Sequence, residues 1–154
     1  MEKLYIERKA SDNKYLHRDF HISTDNGISY VGDKYGDVGV EKFLREFAKN
    51  YFQLLAVEVR EKGLIAIKEY IENIYKAEES EDAIEINLAE NILYVKVKYC
   101  PAVKYMKEQG HTPSKWYKMS TIVVYDQLAK DCGLKFAVGD YNDENGQTEY
   151  SFSI

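Results

Sequence analysis

Hydrophobic positions spaced three and four residues apart run through the first half of this chain, and positions spaced two apart take over after Asp82. Between Tyr15 and Tyr35, the positions Leu16, Phe20, Thr24, Ile28, Val31 and Tyr35 predict a helix, although Gly27 and Gly32 lower its intrinsic propensity. Gly36 ends it, and Asp37 can cap the next. Val40, Phe43, Leu44, Phe47, Tyr51, Leu54 and Leu55 then form the most regular stripe in the chain. They predict one helix over residues 40–62, a main support of the core with Phe47 buried, stopped by Gly63. Leu64, Ile67, Ile71, Ile74 and Tyr75 carry a third helix, which fades into the acidic run from Glu78 to Asp82.

Residues 83–88 and 92–99 alternate with period two and read as strands joined by Ala89-Glu90-Asn91. Pro101 breaks the ladder, a short helix follows over 103–109, and Gly110 ends it. Ser114 caps a longer helix with the stripe Tyr117, Thr121, Val124, Leu128 and Cys132, ended by Gly133. Residues 134–141 and 148–154 form a second hairpin around a loop that contains Asn145-Gly146. Two hairpins pair into one four-stranded antiparallel sheet, and helices must cover one face of it. The expected class is α+β: N-terminal helices packed on that sheet, with two further helices between the hairpins. The 154 residues suit a single domain, with residues 1–14 as an irregular arm.

Charge and composition narrow the function classes. The net charge of −5, with no run of Lys or Arg, argues against nucleic acid as a partner. The apolar runs are too short to span a membrane, and the start of the chain carries no secretory leader pattern. The two cysteines, Cys100 and Cys132, make no C-x-x-C pair, which fits reduced thiols in the cytoplasm. The fourteen tyrosines combine an apolar body with a polar tip and suit a polar ligand pocket. A small molecule is therefore the expected partner, with no cofactor and no bound metal; self-association as a homodimer is a third reading.

The strand at 92–99 delivers Cys100 to a proline and a helix start. Backbone N–H groups and the helix dipole favour a thiolate there, so a depressed pKa and a nucleophilic role are expected of Cys100. Cys132, on a buried stripe at a helix end, reads as structural. His17 and His21 share a helix face at i, i+4, a spacing that can hold a metal but lacks the Glu of a metalloprotease motif. Either histidine, or His111 on the loop after the short helix, is a candidate proton carrier for Cys100. The acidic residues Asp19, Asp25, Asp33 and Asp37 read as caps and solvated positions. Tyr35, Tyr99, Tyr105, Trp116 and Tyr117 are the candidate pocket walls, although core packing is the commoner role of such rings. The pocket is expected between the N-terminal helices and the sheet, with Cys100 at its rim.

The order of elements and the Tyr99-Cys100-Pro101 step resemble the L-2-amino-thiazoline-4-carboxylic acid hydrolase-like family. The layout is also similar to vinyl-reductase-type small-molecule-binding domains and haem-NO-binding domains. The first resemblance implies ring-opening hydrolysis of a cyclic C–N bond with Cys100 as the matching residue. The second implies ligand binding without turnover. His17, His21 and His111 sit in no recognisable haem motif.

Overall fold

A computed structural model describes the backbone from Lys14 to Ile154 and side chains from Phe20 onward. Residues 1–13 of the expected arm and the side chain of His17 lie outside the described residues, while Lys14 already belongs to the first helix. Helix α1 runs Lys14–Tyr51 and kinks at Gly36, whose φ of 68 and ψ of −167 leave the helical region. The break is where the glycine predicted one. Asp25, Ile28 and Gly32 before the kink, and Val40, Leu44 and Ala48 after it, are the buried positions of α1.

Helix α2 spans Gln53–Lys62 and α3 spans Leu64–Ala77. The expected single helix over 40–62 is interrupted at Phe52, with φ −94 and ψ 14, although Phe52 N–H still donates to the Ala48 carbonyl at 3.0 Å. The buried stripe through this region is Val40, Leu44, Ala48, Phe52, Ala56 and Val59. Phe47 is not in it: its side chain is 45% exposed. Phe47 stands one residue before Ala48, about 100° round the helix from the buried stripe, so its ring faces outward.

Strands β1 (Ile84–Leu88) and β2 (Ile92–Val97) form the first hairpin. Helices α4 (Pro101–Glu108) and α5 (Met119–Asp131) follow, then β3 (Lys135–Val138) and β4 (Thr148–Ser153). The strands are shorter at their ends than expected but stand in the expected places. They form one antiparallel sheet in the order β1-β2-β4-β3. The central seam sets Val95 opposite Tyr150 and Val97 opposite Thr148. The alternation is clean: Leu93, Val95, Val97, Tyr150 and Phe152 are buried on one face. Tyr94, Lys96, Glu85 and Glu149 lie on the other, where Lys96 pairs with Glu149 at 3.6 Å and Glu85 with Lys98 at 2.8 Å. The chain is therefore an α+β protein with helices covering one face of a four-stranded sheet.

Two helices lie directly on that face. Helix α3 packs on β1 and β2, and α5 packs on β3. Tyr125 of α5 stands in an aromatic cluster with Tyr150, Phe152 and Phe136 at centroid distances of 5.3, 5.7 and 6.4 Å. Helix α1 packs mainly on α5 and α4. Ser114 does not cap α5, which starts at Met119; residues 114–121 wind instead through i→i+3 bonds such as Tyr117 N–H to the Ser114 carbonyl at 3.1 Å. Ser114 is held elsewhere, by Asp25.

Candidate functional site

Cys100 caps α4 from an extended conformation, φ −88 and ψ 119, and Pro101 takes the first helical position. Proline loses nothing there, because that N–H has no partner within a helix. The Cys100 side chain accepts no capping hydrogen bond, although the Ala102 and Val103 N–H groups at the start of α4 lie toward its sulfur and favour the thiolate. The Cys100 N–H itself donates to the Asn145 carbonyl at 2.7 Å, tying the start of α4 to the β3–β4 loop.

Gly146 lies against the same residue. A Cβ built on it would come within 2.4 Å of the Cys100 Cβ, and its φ of +73 is in the left-handed region. Both conditions require glycine at that position. The Asn145-Gly146 pair, a hairpin signal in the sequence, here serves a nine-residue loop over 139–147 that closes on Cys100.

Behind this contact is a cavity of about 40 Å³. Tyr75 of α3, Thr121 and Tyr125 of α5, Tyr141 and Gly146 of the loop, and Val97, Thr148 and Tyr150 of the sheet line it with Cys100. Six of those residues bear hydroxyls on a largely apolar frame. Thr148 is 3% exposed, and its Oγ1 is buried with no hydrogen-bond partner. Buried polar atoms without partners are uncommon and costly, and such an atom marks a place where a partner fits.

Burial pushes the phenols of Tyr75, Tyr125, Tyr141 and Tyr150 upward, so they stay neutral. It also pushes the Cys100 thiol up, against the expected depression. The Ala102 and Val103 amides oppose that rise and the Glu78 carboxylate adds to it. Desolvation wins over the helix terminus because protein atoms crowd the sulfur beside the cavity, although the residue as a whole is only half-buried. Cys132 is raised as well, chiefly by burial, with Arg60 opposing.

Neither His21 nor His111 lines this cavity. His21 Nε2 donates to Glu78 Oε1 at 2.7 Å and stands edge-on to Tyr105, with ring centroids 6.0 Å apart. His111 Nε2 donates to Asp25 Oδ2 at 2.7 Å. Asp25, expected as a solvated helix residue, is fully buried and also accepts from the Ser114 N–H at 2.9 Å and from its Oγ–H at 2.7 Å. Asp25, His111 and Ser114 do not form a catalytic relay, since serine and histidine each bond the carboxylate. They pin the loop before α5 to α1.

The remaining candidate walls are also spread out. Tyr35 is 69% exposed. The Tyr99 hydroxyl donates to Asp82 at 3.0 Å. Trp116 donates from Nε1 to Asp37 Oδ1 at 2.7 Å and lies on Gly32, where any Cβ would meet its ring at 2.4 Å. Tyr117 is buried near the site, its phenol raised by burial and then by Cys100 and Tyr141. The cavity thus lies between α3, α5 and the sheet, not under α1. Thr148 and Tyr150 were legible as polar tips on the inward face of β4; nothing in the sequence marks Tyr141.

Among the described residues, no three His, Cys, Asp or Glu side chains come together as a metal site, and no helix is long and apolar enough to cross a membrane. No family model, curated protein or solved structure matches the chain.

Proposed function

We propose that this chain binds a small neutral polar molecule, or the polar end of a larger one, in the cavity of Cys100, Thr148 and the four tyrosines. The observation that carries the reading is Thr148 Oγ1, buried and unpartnered at a cavity otherwise ringed by neutral hydroxyls. A charged group would meet no counter-charge among these lining side chains, and burying it would be expensive. A neutral donor would satisfy Thr148 and accept or donate among the phenols. This agrees with the resemblance to ligand-binding domains of the vinyl-reductase type.

Size limits the occupant. About 40 Å³ accommodates on the order of three heavy atoms, by comparison with the volume one water needs. At a ceiling of about 1.5 kcal/mol per atom, such a group binds no tighter than roughly millimolar. A ligand held more tightly must extend beyond the cavity, past the 139–147 loop.

Thiolate catalysis by Cys100 ranks second. The position of its thiol at the start of α4 favours it, as does the resemblance to the thiazoline hydrolase-like family. The raised thiol and the engagement of His21 and His111 with carboxylates weigh against it.

The test is thermal unfolding in formamide and in methanol, at concentrations where bulk solvent effects are matched by the Thr148→Val variant. Binding is expected to raise the Tm of the parent chain more than that of Thr148→Val for at least one probe. Equal shifts in both proteins for every probe would remove the site.

A further inference from the structure

Resting on the binding reading of the Cys100 cavity, we infer that its occupant is a one- or two-carbon aldehyde, held reversibly on the Cys100 sulfur as a hemithioacetal. Two independent features meet at this cavity. One is a thiol, on the wall formed by the start of α4. The other is Thr148 Oγ1, a buried hydroxyl with no partner on a residue only 3% exposed. One stretch of chain brings them together. The Cys100 N–H donates to the Asn145 carbonyl at 2.7 Å, and Gly146 packs on the Cys100 Cβ. Gly146, Thr148 and Tyr150 are buried in alternation with the exposed Gln147 and Glu149. The residue that touches Cys100 and the unpartnered hydroxyl therefore share the inward side of the chain.

The lining selects a neutral electrophile. Among the described residues, no Asp, Glu, Lys or Arg lines the cavity, so a charged group would be buried without a counter-charge. The volume of about 40 Å³ limits an occupant that stays inside to a few heavy atoms. A small aldehyde meets both limits and offers the thiol a carbon to bond. An amide or ester would need its leaving group protonated, and neither His21 nor His111 lines the cavity to do so.

The addition balances without a co-reactant. The sulfur bonds to the carbonyl carbon, the C=O π pair moves onto oxygen, and the thiol proton ends there as a hydroxyl. That hydroxyl is neutral, as the cavity requires, and can donate to Thr148 Oγ1. Burial raises the thiol, which slows the attack because the thiolate is the attacking species. It does not oppose the adduct, since thiol, aldehyde and product are all uncharged.

The test is alkylation of the full chain by iodoacetamide at rising acetaldehyde concentration, read for each cysteine by peptide mass spectrometry, with N-acetylcysteine as a solvent-exposed reference. Acetaldehyde is expected to protect Cys100 at a concentration about tenfold below that needed for the reference, while Cys132 follows the reference. Thr148→Val should weaken protection of Cys100 by about tenfold, through loss of the hydrogen bond to the adduct. Carbon NMR of isotope-labelled acetaldehyde should show the bound carbon as a saturated hemithioacetal carbon. Cys100 protected no better than Cys132, or equally in Thr148→Val, would overturn the inference, as would protection with the bound carbon still a carbonyl. Stabilisation by formamide that depends on Thr148, without an aldehyde adduct, would overturn the covalent step alone and leave the binding reading standing. Failure of both probes would remove the site.

Discussion

Gly146 and Cys100 approach so closely that a single added methyl on Gly146 would sit 2.4 Å from the Cys100 Cβ. The contact couples a hairpin loop to the start of α4 and closes the cavity on one side. Gly146→Ala should therefore lose about 2–4 kcal/mol, part from a left-handed φ and part from overpacking. Urea unfolding checks this; a loss below about 0.5 kcal/mol would mean the loop relaxes freely away from Cys100.

Thr148→Val is expected to act in the opposite direction. The swap keeps the shape and removes a buried hydroxyl that has no partner. Without ligand it should gain up to about 1 kcal/mol. Destabilisation by that amount would show that the hydroxyl is already satisfied in solution.

Asp25 supports the loop before α5 through three groups: His111 Nε2, Ser114 N–H and Ser114 Oγ–H. Asp25→Ala leaves them without their acceptor in a buried setting and should cost about 2–4 kcal/mol. His111→Ala, whose ring is partly exposed, should cost less. The reverse order in a denaturation series would contradict the anchoring role.

Alkaline pH should unfold this protein cooperatively. The folded phenols of Tyr75, Tyr125, Tyr141 and Tyr150 and the Cys100 thiol all have raised pKa values through burial. The folded state therefore holds these protons more tightly than the unfolded chain. The resulting stability is fully present below the unfolded values and is lost as pH rises through about 9 to 10 and beyond. Phenolate absorbance from these buried rings should appear together with the loss of near-ultraviolet dichroism. Their titration in a folded protein near pH 10 would mean that the cavity is open to water.

Much of the architecture was legible in the sequence because periodicity reports burial directly. The period-two runs gave both hairpins, and Gly36 and Gly63 gave breaks. Phe47 was misplaced because the helix after the kink carries two apolar stripes, and hydrophobicity alone does not say which faces the core. Phe52, at 4% exposure and edge-on to Tyr70 at 5.4 Å, holds the place expected of Phe47. Phe52→Ala should cost about 3–5 kcal/mol and Phe47→Ala only about 1.

The site was less legible. Cys100 stood out by its position before Pro101, but its environment depends on long-range contacts from α3, α5 and the 139–147 loop. The helix terminus that argued for a thiolate is real, yet burial outweighs it. His21 and His111 attracted a catalytic reading because their carboxylate partners, Glu78 and Asp25, lie 57 and 86 residues away along the chain.

A crystal structure of the parent chain grown in formamide tests the binding reading most directly. The expected result is one formamide in the cavity, with its amide nitrogen within about 3.2 Å of Thr148 Oγ1 and its remaining polar contacts to the tyrosine hydroxyls. A cavity holding only water, or a Thr148 Oγ1 bonded to a protein group with no room beside Cys100, would contradict it.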